Sequence, residues 1–332
     1  MIKVAIVGTT SWGTTLGIVL ARQEVDVHLL ARSEDEAASL ESDRENVRFV
    51  PGAVFPDKLS ITADPQTAMS AADVVMFVVP SRSLRDNVRR FGRHIDSSST
   101  IVTATKGLEL ATGMRMSQVL ADELPIVNGA GICALSGPNL ATEIVAGKLS
   151  STVVASPNVE AATKVQAMFN SDVFRVYTND DIVGVELCGA LKNIIALGAG
   201  ICDGLGVGDN AKAAFMTRGL AEIMRLGVAA GATPATFAGL AGMGDLIATC
   251  SSTLSRNHHV GEELAKGKAV ADIRATMDNV TEGVDTTPAA LELAARLGVE
   301  MPLAQGLHDV MFGGVSVPDA IADLMGRDPK SE

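Results

Sequence analysis

The sequence predicts an α/β protein: an N-terminal, doubly wound, mostly parallel sheet followed by an all-helical C-terminal domain. Three observations lead there. A strand, a helix and a second strand fit within the first thirty residues. Short apolar runs then alternate with helix-compatible stretches up to about residue 180, the pattern of parallel strands buried by crossover helices. After Asp181 no strand pattern remains, and Ala/Leu/Met-rich segments continue to the end.

Residues 2–7 (IKVAIV) read as the first strand, Thr14 to Gln23 as a helix with Leu16, Val19 and Leu20 on one face, and Val25 to Leu30 as the second strand. Residues 43–60, with Pro51, Gly52 and Pro56, read as an irregular insertion. Further strands are expected at Val74 to Val79, Ile101 to Ala104, Ile132 to Leu135, Thr152 to Ala155 and Val173 to Tyr177. Asp64-Pro65 and Ser156-Pro157 mark helix starts, an N-cap side chain followed by a proline that needs no N–H. The stretch from Val183 to Ile201 is apolar, but Glu186 and Lys192 would be costly in lipid, so it reads as a buried helix. Residues 1–185 are therefore expected to form a dinucleotide-binding domain and residues 186–332 a helical substrate-binding domain, with a frayed tail after Arg327.

At 332 residues, 47% apolar and 20% charged, the chain has a globular composition. A net charge of −12 excludes a general nucleic-acid surface, which requires a basic stripe, and obliges any anionic substrate to meet a local basic cluster. Cys133, Cys188, Cys202 and Cys250 are dispersed and form no C-x-x-C pair, which points to buried thiols in a reducing compartment. With no leader-like N-terminus, a cytoplasmic protein that is not integral to a membrane is expected. His258 and His259 are adjacent and point apart on a helix, so no metal site is expected.

The turn Gly8-Thr9-Thr10-Ser11-Trp12-Gly13 follows the first strand and opens a helix, the context in which a glycine fingerprint has meaning. Gly8 suits the tight turn and Gly13 the close packing of helix on strand, while the helix N-terminus offers N–H groups to a pyrophosphate. Thr10 occupies the place of the middle glycine, and an ordinary βα turn is the alternative. Arg32, after the second strand, stands where an acid would bind the ribose of NAD; a guanidinium there leans toward the 2′-phosphate of NADP(H). Alternatively it is a solvated arginine facing Glu34, Asp35 and Glu36.

Lys106, in Thr105-Lys106-Gly107, and Ser136-Gly137-Pro138-Asn139 each follow a strand, at the sheet edge where doubly wound folds bind ligands. Lys192 sits among Gly189, Ala190, Leu191, Ile194, Ile195 and Ala196, and a lysine buried there needs a reason: catalysis, an ion pair with Glu186, or snorkelling. Ser255-Arg256-Asn257 precedes a helix read from His258 to Lys266 and combines a forked donor, an amide and backbone N–H groups, suited to a phosphate or to a plain polar cap. Gly242-Met243-Gly244-Asp245 reads as a turn and cap whose carboxylate can accept from a substrate hydroxyl.

Taken in order, these segments resemble the bacterial NAD(P)-dependent glycerol-3-phosphate dehydrogenases over nearly the whole chain. The resemblance rests on Gly8 to Gly13, Ala104 to Glu109, Ser136-Gly137-Pro138, Leu191-Lys192-Asn193 through Gly198-Ala199-Gly200 to Arg218-Gly219-Leu220-Ala221-Glu222, Gly242 to Leu246, Ser255-Arg256-Asn257, Thr281-Glu282-Gly283 and Met301-Pro302. It implies a Rossmann-type first domain and reduction of dihydroxyacetone phosphate to sn-glycerol 3-phosphate, the precursor of glycerophospholipids, with NAD(H) or NADP(H) and no metal. By position it implies contacts to the cofactor from Gly8, Ser11, Trp12, Gly13, Arg32, Lys106, Ala141, Arg256, Val280 and Glu282. Substrate contacts are implied for Lys106, Gly137, Asn139, Lys192, Asp245, Ser255, Arg256 and Asn257, with Lys192 transferring the proton. Thr10 replaces the usual glycine, and Asn139 stands where serine or threonine is common. The competing expectations are a related two-domain 3-hydroxy-acid or sugar-acid dehydrogenase and a non-catalytic dinucleotide-binding redox sensor. A homodimer is expected, through the apolar helical domain.

Overall fold

Runs of β-branched residues too short for a helix become strands buried on both faces. In the computed structural model, which describes residues 2–125, 131–277 and 281–328, eight strands form one sheet in the order β3-β2-β1-β4-β5-β6-β7-β8. The strands are β1 Lys3–Val7, β2 Asp26–Leu30, β3 Leu59–Thr62, β4 Val74–Phe77, β5 Thr100–Thr103, β6 Ile132–Ser136, β7 Ser150–Ala155 and β8 Phe174–Asn179. All neighbours run parallel except β6 and β7. Val4 of the central strand β1 sits opposite Val27 of β2 and Val74 of β4, and none of the three is exposed. Because β1 lies between β2 and β4, the chain reverses its direction of travel across the sheet there, which opens a crevice at the carboxyl ends of the strands.

The helices between these strands are α1 Ser11–Ala21, α2 Glu34–Asp43, α3 Pro65–Met69, α4 Leu84–Phe91, α5 Met116–Glu123, α6 Ala141–Val145 and α7 Val159–Phe169. Asp64 caps α3 as its sequence suggests, accepting from Gln66 N at 3.1 Å and Thr67 N at 3.0 Å. At Ser156-Pro157 the helix starts later than expected. The Ser156 hydroxyl is committed to Ile132 O at 2.8 Å across the sheet, so Asn158 caps α7 by accepting from Ala161 N at 3.1 Å.

The segment 43–60 is not wholly irregular. Its last two residues open β3, whose Leu59 and Ile61 are buried between the more open Ser60 and Thr62. Two apolar positions in a four-residue strand were too few to establish a period. Upstream, Glu45 and Val54 bridge, and Asn46 is 3% exposed.

The chain divides into two compact units: Met1–Lys106 with Arg115–Val185, and Gly107–Met114 with Glu186–Glu332. The second holds most of α8 Ile182–Leu205, and α9 Asp209–Ala229, α10 Pro234–Phe237, α11 Asp245–Ser251, α12 Arg256–Ala265, α13 Val270–Ala275, α14 Glu282–Leu297, α15 Pro302–Phe312 and α16 Val317–Met325. By length and composition α8 could cross a membrane, yet 89% of its most apolar window is buried inside the protein. It approaches α12 closely: a Cβ on Gly200 would stand 1.9 Å from His258 O, and one on Gly261 1.9 Å from Leu197 O. Backbones this near each other admit only glycine.

Elsewhere in the second unit a carboxylate substitutes for a cap. Glu222, on α9 and 2% exposed, accepts from Leu303 N at 2.8 Å and Ala304 N at 3.3 Å at the start of α15. Burial raises its pKa, and those two bonds oppose the rise. Of the four cysteines, Cys133, Cys188 and Cys250 are buried as expected, whereas Cys202 is half-buried. Burial pushes the Cys133 thiol up to about 11 and that of Cys250 up to about 12, which keeps both unreactive.

Candidate functional site

In the first unit, the residues singled out from sequence lie where strands end. Gly8 follows β1 with φ +122°, a conformation open to glycine, and an added Cβ would stand 2.3 Å from Val78 O. A Cβ on Gly13 would stand 2.0 Å from Gly8 O. Both glycines are thus required by the approach of helix to strand. Thr10 is different: its φ of −72° is ordinary extended backbone, so the fold asks for no glycine there. Its side chain makes no cap bond, which leaves the first-turn amides of α1, from Ser11, Trp12 and Gly13 onward, to an anion or to solvent. This backbone-lined turn fits a dinucleotide diphosphate.

The turn is braced from behind. Asn46 donates through Nδ2 to Thr9 O at 2.8 Å and to Thr14 Oγ1 at 2.8 Å. Thr9 in turn donates its hydroxyl to Glu36 Oε1 at 2.8 Å. Glu36 also pairs with Arg32, whose Nη2 lies 2.7 Å from Oε1. Burial alone would raise the Glu36 carboxyl, but the donors from Arg32 and Thr9 together hold it below its usual value. Asn46 was not singled out from sequence, and Glu36 was named only among the acids facing Arg32, where it is indeed found. Asn46 lies in a segment without periodicity; Glu36 stands three residues after Ser33, a spacing that signals only a helix cap.

A second group collects at the ends of β5 and β6. Lys106 Nζ donates to Gly137 O at 3.2 Å. Asn139 donates to Thr152 Oγ1 at 2.8 Å, and Thr152 to Ser136 O at 3.1 Å. The Asn139 Oδ1 and Ser136 Oγ atoms are buried with no hydrogen-bond partner among the described residues. Ala141 is the first residue of α6. Lys106, Gly137 and Asn139 therefore form one polar group, as their positions after neighbouring strands imply.

In the second unit Lys192 is 6% exposed and its ammonium has two partners on α11, Asp245 Oδ1 at 2.5 Å and Thr249 Oγ1 at 2.5 Å. Thr249 Oγ1 in turn donates to Asp245 O at 2.6 Å. The carboxylate, 1% exposed, is held between the lysine and the helix that carries it. The Gly242 to Gly244 segment ahead of it is not a simple turn but a wide helical turn, Leu240–Gly244, running into α11. Thr249 was overlooked, although it lies one helical turn from Asp245, a spacing that sequence displays.

A second chain of bonds starts one residue on. Asn257 Nδ2 donates to Asn193 Oδ1 at 2.9 Å, and Asn257 Oδ1 accepts from Gly283 N at 2.9 Å. One amide thereby ties α8, α12 and α14 together. Ser255 caps α12, accepting from His258 N at 3.3 Å, so Arg256 and Asn257 lie inside the first turn and not before a helix starting at His258. Arg256 is exposed, unlike its buried neighbours Ser255 and Asn257. Its protein-rich surroundings lower its pKa, and the charge of Glu282, the first residue of α14, opposes that. Val280 lies outside the described residues. His258 bonds Asp203 of α8 through Nε2 at 2.6 Å, a further clamp between α8 and α12.

The second unit thus presents a shielded ammonium of fixed position and, on α12, an arginine beside a helix start. An ammonium so held can give a proton to an oxyanion, and the arginine can grip a phosphate.

Comparison with known proteins places both units. Residues 3–162 match the family described as NAD-dependent glycerol-3-phosphate dehydrogenase N-terminus, and residues 181–322 its C-terminus. The NAD(P)+ glycerol-3-phosphate dehydrogenase of Dehalococcoides mccartyi is 49% identical, over 100% of this chain and 93% of that protein. That of Chlorobium limicola is 47% identical over 99% of both. Among solved structures, glycerol-3-phosphate dehydrogenase from Coxiella burnetii matches with a TM-score of 0.92 at 35% identity, covering 98% of this chain and 99% of that one.

Proposed function

The chain belongs to the NAD-dependent glycerol-3-phosphate dehydrogenase family and is an NAD(P)-dependent oxidoreductase, and from that premise we propose that it reduces dihydroxyacetone phosphate to sn-glycerol 3-phosphate with Lys192 as the general acid. The observation that carries this reading is the buried Lys192–Asp245–Thr249 cluster. Asp245 and Thr249 hold the ammonium in one place by accepting two of its N–H bonds. When bound, the nicotinamide supplies the hydride, delivered to the ketone carbon. Lys192 stabilises the alkoxide that develops on the carbonyl oxygen and protonates it; in the reverse direction it accepts the alcohol proton.

Arg256 and the first turn of α12, capped by Ser255, hold the substrate phosphate, so binding energy away from the carbonyl orients it. Asn257 keeps that turn in register with the Lys192 helix. In the first unit, Gly8, Ser11, Trp12, Gly13 and Ala141 line the dinucleotide, and Lys106 with Gly137 and Asn139 supplies a polar group for the ligands; in the second, Glu282 and Val280 belong to the cofactor set. Residues 1–185 thus act as the dinucleotide domain and residues 186–332 as the substrate domain. Arg32 alone leans the preference toward NADP(H); its bond to Glu36 opposes that lean.

The product is a precursor for glycerophospholipids, and the enzyme works in the cytoplasm as a homodimer without a metal. The dimer is supported by Phe312, Val315, Ile321 and Met325 of the α15–α16 region, all exposed. The direct test is the initial rate of absorbance loss at the reduced nicotinamide band with dihydroxyacetone phosphate and each reduced cofactor. Turnover is expected with dihydroxyacetone phosphate and not with 3-keto acids or oxidised sugar acids; the opposite order would overturn the substrate assignment.

A further inference from the structure

We propose that Glu36 is the residue that selects the cofactor, favouring NADH by holding Arg32 and by confronting the 2′-phosphate of NADPH with a fixed negative charge. This rests on the dinucleotide reading of the first unit. In a doubly wound fold the adenosine ribose lies at the carboxyl end of β2, where an acid accepts from the 2′-hydroxyl or an arginine grips the 2′-phosphate. Here β2 is followed by Arg32, and the usual acid is absent from that position.

The acid arrives from the next helix. Glu36, in the first turn of α2, turns its carboxylate back to the end of β2, accepting from Arg32 N at 2.8 Å and from the guanidinium at 2.7 Å and 3.1 Å. It also reaches the glycine turn, accepting from Thr9 Oγ1 at 2.8 Å. A simple capping box would explain the spacing Ser33-x-x-Glu36, and one half of it is present, Glu36 N donating to Ser33 Oγ at 3.2 Å. In the other half the carboxylate would accept from the Ser33 amide. It accepts instead from Arg32 and Thr9, one residue before the cap and on the neighbouring loop.

Three features follow from that position. Glu36 is 18% exposed at its side chain and is held by Thr9 Oγ1 and the Arg32 backbone N–H besides the guanidinium, whereas the Arg32 side chain is 72% exposed and bonds Glu36. The carboxylate is therefore the rigid partner and the guanidinium the movable one. A 2′-hydroxyl is a donor and suits this acceptor. A 2′-phosphate is an anion: to receive it Arg32 must leave Glu36, and the carboxylate then stands beside the phosphate as a like charge.

The experiment compares two fragments that differ only in the 2′-phosphate, 5′-AMP and 2′,5′-ADP, binding to the full chain, read by calorimetry and by the fluorescence of Trp12, the only tryptophan. Gln at position 36 keeps an acceptor for Thr9 or Arg32 but not the charge. Glu36→Gln is expected to tighten 2′,5′-ADP about tenfold and to change 5′-AMP by less than about twofold, with kcat/KM for NADPH relative to NADH rising in step. Adding Arg32→Ala to that variant is expected to cancel the gain. Unchanged 2′,5′-ADP affinity, or a parallel loss of both ligands, overturns the role of Glu36 and leaves the dinucleotide reading intact. A parent protein that binds neither 5′-AMP nor NADH overturns that reading itself.

Discussion

In the first unit, the groups assigned to the dinucleotide follow strand ends within a few positions, and they act largely through backbone: two glycines that permit close approach and the uncapped amides of α1. In the second, Lys192 meets Asp245 and Thr249 from 53 and 57 residues away, and Asn193 meets Asn257 from 64. One region is made by local chain geometry, the other by docking helices. The difference teaches where each should be vulnerable: the turn tolerates side-chain change wherever its backbone is ordinary, whereas the helical cluster loses several partners with every side chain removed.

The largest effect should come from Lys192→Ala. We expect kcat to fall by about 10²–10⁴-fold, the range for a lost general acid, while NADH affinity read at Trp12 stays within about twofold. Equal losses in both would erase the division of labour between the units. Next is Asn257→Ala, which strands the Asn193 acceptor and the Gly283 amide. Urea titration should show about 2–3 kcal/mol less stability, with a higher KM for dihydroxyacetone phosphate; a loss under about 0.5 kcal/mol would mean that the amide bridge is not what aligns α12. The smallest change is expected from Thr10→Gly. Since Thr10 has φ −72°, restoring the customary glycine should shift NADH affinity by no more than about threefold and stability by a few tenths of a kcal/mol. A large gain in affinity would show that the threonine side chain crowds the turn, making the first region side-chain-limited after all.

The same contrast explains how much of the molecule could be read in advance. The central strands were legible because each buried run is continuous and bounded by turn residues; β3 was not, because four residues with two apolar positions carry almost no period. Lys192 stood out as a charge on an apolar helix, but no spacing rule connects it to Asp245, and only the family resemblance grouped the two. Glu36 shows the opposite failure. Its local spacing suggests a helix cap and its neighbourhood an acid facing Arg32, while the bond that carries its carboxylate to Thr9 on another loop has no sequence signal.

Beyond chemistry, the ammonium on α8 governs how the second unit can come apart. Leu191, Ile194 and Ile195 on the same helix are wholly buried, and α11 brings an acceptor pair to the Lys192 that shares their environment. If α11 peeled away alone, the ammonium would lose Asp245 and Thr249 while its helix stayed in an apolar interior, and giving up buried polar partners there is costly. Partial opening at that point is therefore suppressed, and the two helices, distant in sequence, are retained or surrendered as one cooperative block.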